Sequence, residues 1–104
     1  MIAQVLKTIK INNIIHTQIL SPGEKQRLCF ARMFYHKPQF SILDEATSAL
    51  SISMEAQLYQ KCITAGMALI SVGHRPSLLE YHQKLLTISN HTCKVTSIKT
   101  KSVK

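Results

Sequence analysis

Residues 40–51 read FSILDEATSALS, and the beginning of this stretch decides the kind of fold. Phe40 to Leu43 is a short, mostly apolar run that stops abruptly at Asp44 and Glu45. Such a run, closed by polar residues, predicts a buried β-strand. Residues 67–72 form a second run of this kind, so we expect two buried strands.

A helix is expected between these strands. Ser51 is suited to cap its start and Gly66 to end it. Apolar residues recur between them at helical spacing, namely Ile52, Ala56, Tyr59 and Ile63. Strand, helix and strand form a βαβ unit, whose crossover implies parallel pairing and a right-handed connection. The expected fold class is therefore α/β, with a parallel sheet core and flanking helices.

The segment before the first strand carries clear helix signals. Ser21 is a good N-cap, Pro22 suits the first helical position, and Glu24 completes a capping box. Pro38 disfavours helical geometry in the residue before it, so the helix should end near His36. Its expected apolar face comprises Leu28, Ala31, Phe34 and Tyr35.

The remaining elements are shorter. We expect a helix around residues 2–10, a brief helix from Ser77 to Tyr81, and two strands at 84–89 and 94–98 separated by the turn-like pair Asn90-His91. The chain divides into a poorly defined segment at 1–19, a main unit at 20–99 and a basic tail at 100–104.

Composition excludes several classes of protein. Of 104 residues, 45% are hydrophobic and 17% charged, which is typical of a globular chain rather than a disordered one. The three cysteines form no C-x-x-C pair, which argues against a disulfide scaffold or a zinc site. No stretch approaches the length of a membrane span or a signal-peptide core. The net charge of +8 favours polyanionic partners such as nucleic acid, anionic membranes or nucleotide phosphates.

The polar residues that follow the strands are candidates for phosphate chemistry. In an open α/β sheet, ligands bind beyond the carboxyl ends of the strands, where Asp44, Glu45 and His74 fall. A carboxylate there can hold Mg²⁺ through water, a second can orient or deprotonate an attacking water, and an imidazole can hydrogen-bond a phosphate. The capped helix start at Ser21 and Gly23 can attract an anion. Taken singly, each feature has an ordinary alternative: a solvated acid pair, a lone surface histidine or a simple cap.

Together these residues resemble the ABC transporter nucleotide-binding domain. Residues 20–27 are similar to its signature segment, residues 40–45 to Walker B with the adjoining glutamate, residues 48–50 to the D-loop, and His74 to the switch histidine, all in the family's order. The sequences of residues 31–38 and 74–78 are similar to those of subfamily D half-transporters. The resemblance covers about residues 20–88 and implies the C-terminal half of an ABC ATPase domain, a partial P-loop NTPase fold.

Some residues depart from the family pattern. Pro22 replaces the first signature glycine, as in the cobalamin branch of subfamily D, and Ser51 replaces an aspartate that often closes the D-loop. Gly73 stands where many members have threonine. No G-x-x-x-x-G-K-[ST] loop occurs in the chain, so nothing in it cradles the β- and γ-phosphates. We expect that a chain without this loop begins at Met1 because its gene model is truncated or its gene copy is degenerate.

The resemblance implies cofactors and roles for individual residues. ATP and Mg²⁺ are the implied cofactors, with Asp44 contacting the Mg²⁺ shell, and with Glu45 acting on the attacking water. His74 would contact the γ-phosphate. The signature residues Ser21, Gly23 and Glu24 would contact ATP held by a partner's Walker A loop.

The resemblance also implies a setting. The partners would be a second nucleotide-binding domain and a transporter membrane domain, at the cytosolic face of a peroxisomal or lysosomal membrane. The transported substrate would be fatty acyl-CoA or a related organellar compound, and the isolated chain would be soluble and inactive.

Two alternatives remain open at this level. The chain could be a non-catalytic remnant or interaction module, which the missing Walker A favours. It could also be the head of a DNA-repair ABC ATPase, which the +8 charge invites. His74 and the similarity to subfamily D sequences argue against a DNA-repair ATPase head, and we expect no nucleic-acid partner.

Overall fold

A computed structural model of the chain describes residues 20–98. Two α-helices, a 3-10 helix and four strands follow in the order α1 (Pro22–His36), β1 (Phe40–Asp44), α2 (Ile52–Thr64), β2 (Ala68–Val72), the 3-10 helix (Pro76–Tyr81), β3 (Lys84–Ser89) and β4 (Thr92–Ser97). Residues 45–51, between β1 and α2, are called the β1–α2 loop below. The predicted helix at 2–10 and the basic tail at 100–104 lie outside the described residues.

Helix α1 begins and ends where the sequence predicts. The Ser21 hydroxyl accepts a hydrogen bond from the Glu24 backbone N–H, and the Glu24 carboxylate accepts one from the Ser21 N–H, so both halves of the capping box form. At the other end, Lys37 adopts a left-handed conformation (φ 50°), and its N–H donates to the Met33 carbonyl. Pro38 then prevents any continuation.

Strands β1 and β2 pair in parallel, as the βαβ interpretation predicts, and the α/β fold class is confirmed. The register runs from Phe40 opposite Ala68 to Asp44 opposite Val72. The two strands therefore end at the same level, and the residues that follow them emerge side by side. This register places Glu45 next to the turn that carries His74.

The buried face of α2 includes the predicted Tyr59 but otherwise differs from the predicted one. Ile52 and Ile63 are 55% and 43% exposed, whereas the residues facing the core are Glu55, Leu58, Tyr59 and Cys62. Relative to the predicted face, the helix is turned about its axis, so that the buried carboxylate of Glu55 and not an isoleucine points toward the β1–α2 loop. The core under the sheet comprises Phe30, Leu43, Leu50, Leu58, Tyr59, Cys62 and Met67.

The strands are half-buried, so the expectation of two fully buried strands was wrong. Ser41 and Leu43 face the core. On the opposite face of the same two strands, Ile42 is 74% and Ile70 is 57% exposed, together with Phe40 and Val72. Within residues 20–98 no helix covers this apolar sheet face, because α1 and α2 both contribute to the core on the other side.

A separate antiparallel hairpin closes the described part of the chain. β3 and β4 pair from Lys84 opposite Ser97 to Ser89 opposite Thr92. Asn90 and His91 both have positive φ, 48° and 61°, which is the backbone of a two-residue hairpin turn. In the described part of the chain, no helix is long and apolar enough to cross a membrane.

Candidate functional site

The contact at the centre of the site joins the ends of β1 and β2. The Glu45 N–H donates to the Val72 carbonyl at 2.8 Å, which extends the parallel ladder by one residue. His74 Nε2 lies 3.2 Å from Glu45 Oε1. The His74 side chain is 94% exposed and that of Glu45 41%, so both groups are accessible to a ligand. The structure thus brings together two residues that the sequence places 29 positions apart.

The backbone of Glu45 is left-handed, with φ 51°. A residue with a side chain is rarely found in this region, at a cost of about 1–2 kcal/mol, and persists there only when its surroundings hold it. Those surroundings include Gln26 of α1, which sequence reasoning missed. Its amide Nε2 donates to the Glu45 carbonyl and to the Ser48 hydroxyl oxygen, both at 2.9 Å, and its Oε1 accepts from the Ala49 N–H at 2.9 Å.

No pattern in the sequence singles out Gln26. It stands four residues before Phe30, on the stripe of α1 that turns inward in the structure, and Phe30 was not part of the predicted apolar face. An amide on that stripe needs partners for both its donors and its acceptor. The carbonyl and N–H groups of the β1–α2 loop supply them.

Gly23 lies where the start of α1 approaches the same loop. A Cβ at this position would lie 3.1 Å from the Ala49 carbonyl oxygen and 3.6 Å from a Leu50 methyl carbon. The glycine therefore lets the helix N-terminus approach the loop backbone. Ser21, at the exposed start of the helix, uses its hydroxyl oxygen as an acceptor in the capping box, and its hydroxyl group also interacts with the Glu24 carboxylate.

Glu24 is engaged within its own helix. The Ser21 backbone N–H and, next, the Ser21 hydroxyl hold the pKa of the Glu24 carboxyl below its usual range. Its contact with a partner nucleotide remains a prediction, because the structure describes it as half of a cap.

Asp44 is exposed at the carboxyl end of β1. It lies with Glu45 on the wall of a cavity of about 490 Å³, which is lined also by Gln26, Phe30 and Met33 of α1. Among residues 20–98 no three His, Cys, Asp or Glu residues converge as a metal site. A single accessible carboxylate fits Mg²⁺ that keeps most of its water and phosphate ligands, and does not fit a metal held by protein ligands alone.

Two further charged residues near the site were not predicted. Arg75, which follows His74, donates from Nη2 to the carbonyls of Ser48 at 3.1 Å and Leu50 at 2.6 Å. Its Nη1 lies 3.5 Å from the carboxylate of Glu55, which is fully buried. Glu55 also stands four residues before Tyr59, a residue of the predicted apolar face of α2, and this spacing indicates that it faces inward.

His82 has hydrogen-bond partners at both ring nitrogens. Its Nδ1 is 2.7 Å from the Leu78 carbonyl, and its Nε2 is 2.8 Å from the Ser71 hydroxyl, which is 2.8 Å from the Tyr59 hydroxyl. A carbonyl only accepts, so the Nδ1 atom of His82 carries a proton. Burial raises the pKa of Tyr59, so the phenol remains a hydrogen-bonding group.

Comparisons with known proteins agree with the resemblance. The family model described as ABC transporter matches residues 1–48. Over 68 residues, 65% of its length, the chain is 53% identical to ATP-binding cassette sub-family D member 3 of Homo sapiens, of which it covers 10%. Over 70 residues, 67% of its length, it is 54% identical to the lysosomal cobalamin transporter ABCD4 of Mus musculus, of which it covers 12%.

A solved structure shares the fold. It comes from work on the structural biochemistry of ATP-driven dimerization and DNA stimulated activation of SMC ATPases, and it matches with a TM-score of 0.59 and 17% identity over 77% of this chain and 55% of that one. At this identity the match shows the fold alone. The chain spans about a tenth of the length of the curated relatives it matches.

Proposed function

The chain belongs to the ABC transporter family, with relatives in subfamily D, and from this premise we propose that residues 20–98 form the closing and hydrolytic half of a nucleotide-binding domain. In this role, the start of α1 contacts ATP held by a second nucleotide-binding domain. The ends of β1 and β2 act on ATP held by their own domain. ATP hydrolysis would then be coupled to transport by a membrane domain.

The observation that carries this proposal is the 3.2 Å contact between Glu45 and His74 at the carboxyl end of the parallel sheet. A carboxylate here can accept a proton from an attacking water, and an imidazole beside it can donate to a phosphate oxygen as negative charge develops. Phosphoryl transfer depends mainly on such positioning and charge stabilisation. Glu45 and His74 are held side by side at one edge of the sheet by the pairing of β1 with β2, which supplies this positioning.

The remaining residues have supporting roles. Bound ATP supplies the γ-phosphoryl group, and Mg²⁺ supplies positive charge against its oxygens. Asp44 would contact the metal through water. Ser21 Oγ–H and the first-turn N–H groups around Gly23 would bind the γ-phosphate of the partner's nucleotide, because a helix N-terminus offers unpaired donors to an anion. Glu24 would hold Ser21 in the required rotamer.

The cellular role extends the proposal. We propose that the domain lies at the cytosolic face of a peroxisomal or lysosomal membrane; one relative is named a lysosomal cobalamin transporter and another a sub-family D member, which supports this proposal. A fatty acyl-CoA or related organellar compound would be the transported substrate. No nucleic acid is required, and the basic charge would serve nucleotide phosphates and the membrane surface.

The test uses a chimeric transporter, a full-length sub-family D relative in which residues 20–98 replace the corresponding segment. Glu45→Gln should leave ATP binding intact and slow turnover by about 100-fold or more, a loss on the order of 3 kcal/mol of transition-state stabilisation. ATP turnover and trapped nucleotide report the two effects. Glu80→Gln makes the same change of charge at an exposed acid of the 3-10 helix and is the matched control. Equal turnover in the chimera and its Glu45→Gln variant would remove the catalytic assignment.

A further inference from the structure

Building on the proposed function, we infer that Glu55 is a positioning residue, which through Arg75 and two hydroxyl groups holds Glu45 and His74 in their mutual geometry. Its carboxylate accepts from Thr47 Oγ1 at 2.7 Å and from Ser77 Oγ at 2.6 Å. Thr47 stands two residues after Glu45, and Ser77 three residues after His74. One buried group on α2 therefore fixes both segments that carry the proposed hydrolytic residues.

The groups around Glu55 are those that stabilise a carboxylate. Glu55 is fully buried, and a charged carboxylate in an interior is costly unless donors surround it. Here two hydroxyl donors and the guanidinium of Arg75 converge on its two oxygens. Arg75 Nη1 is itself buried and has no hydrogen-bond partner within the described residues, so Glu55 provides its compensating charge.

Arg75 transmits this constraint to the backbone of the site. Its Nη2 donates to the Ser48 and Leu50 carbonyls, and these hold the β1–α2 loop against the segment that contains His74. A carboxamide at position 55 could still pair with a hydroxyl group, which can rotate to accept. It could not neutralise Arg75, so the guanidinium would move toward solvent and release the loop and His74 together.

This arrangement predicts an effect on turnover rather than on nucleotide affinity. Glu55 contacts residues beside Glu45 and His74, and its hydrogen bonds do not reach Ser21 or Gly23. In the chimeric transporter, Glu55→Gln should lower kcat by about tenfold to a hundredfold and change the KM for ATP by less than about twofold. Glu80→Gln, the matched change of charge, should leave both constants unchanged.

A combined substitution separates positioning from general structural support. If Glu55 acts on the reaction only through Glu45 and His74, then adding Glu55→Gln to a variant that already carries Glu45→Gln and His74→Ala should slow the residual turnover by less than about threefold further. A merely structural residue would give independent losses that multiply. Losses that multiply, or an unchanged kcat in Glu55→Gln, would overturn the inference while leaving the proposed function intact.

A second pair of variants covers the case in which Glu55→Gln does not fold. Thr47→Val with Ser77→Ala removes the two hydroxyl donors and keeps the charge pair with Arg75. It should lower kcat by about threefold to tenfold at an unchanged KM, and no loss would equally overturn the inference. A parent chimera without ATP turnover would instead contradict the proposed function itself, which keeps the two failures distinct.

Discussion

Replacing Gln26 by Glu exchanges one nitrogen for oxygen at the contact between α1 and the β1–α2 loop. The native Nε2 donates two hydrogen bonds of 2.9 Å, to the Glu45 carbonyl and to the Ser48 hydroxyl oxygen. The new oxygen would face the Glu45 carbonyl oxygen at that distance without a proton to share. The bond from the Ala49 N–H to Oε1 would remain.

The expected loss follows from these contacts. Each donated hydrogen bond contributes about 1 kcal/mol, and repulsion between the carboxylate and the carbonyl adds about 1 kcal/mol, since the site is part-buried. The Ser48 hydroxyl can rotate to donate to the new oxygen and recover part of this. We expect the free energy of unfolding to fall by about 2–3 kcal/mol.

The measurement is equilibrium unfolding of a chimeric nucleotide-binding domain that carries residues 20–98. Gln57→Glu, at an exposed position of α2, is the matched control and should change stability by less than about 0.5 kcal/mol. Protonation of the new carboxyl group restores one O–H donor, so the penalty should shrink as the pH is lowered from about 8 to about 5. A Gln26→Glu domain as stable as the parent at neutral pH would refute the assignment of Gln26 as a clamp on the loop.

Three further predictions concern the activity of the chain, its exposed sheet face and its buried cysteine. The purified 104-residue chain should show no Mg²⁺-ATPase activity, because no phosphate-cradling loop occurs in its sequence; turnover that Glu45→Gln abolishes would contradict this. Contrary to the expectation of a soluble chain, its apolar sheet face should cause aggregation. Ile42→Lys with Ile70→Lys should therefore raise the soluble fraction of the chain yet destabilise the chimeric domain, and unchanged solubility would argue against that face as the cause. Burial raises the pKa of Cys62 to about 11, so in the chimeric domain its thiol should stay protonated and resist iodoacetamide until the pH approaches that value. Cys29, which is exposed, should react first. Equal labelling of the two cysteines, measured by mass spectrometry, would show that Cys62 is accessible.

Elements with local signals could be predicted from the sequence. The capping box of Ser21 and Glu24 and the stop at Pro38 set both ends of α1 without help from the rest of the chain. The Asn90-His91 turn follows from residues that tolerate positive φ. Placing Glu45 and His74 at one sheet edge required only parallel pairing, and the structure confirms that placement.

Features that depend on distant partners could not be predicted. The spacing of Glu55 from Tyr59 indicates that it faces inward, but no local pattern predicts its partners, which are Thr47, Arg75 and Ser77. Gln26 bonds to backbone groups 19 or more residues away. The roles assigned to Ser21, Gly23, Glu24, Asp44, Glu45 and His74 stay predictions, because each requires a bound nucleotide.

The buried carboxylate of Glu55 also imposes an order on folding. Helix α2 forms from local contacts. The carboxylate of Glu55 can give up its hydrating water at low cost only when the β1–α2 loop and the segment after β2 both supply hydrogen-bond donors. Pairing of β2 with β1 closes a loop of about thirty residues before this is possible, a slow step relative to helix formation. We therefore expect the β1–α2 loop and the segment after β2 to be unstructured early in folding. Both should acquire hydrogen-exchange protection together, at the end of folding.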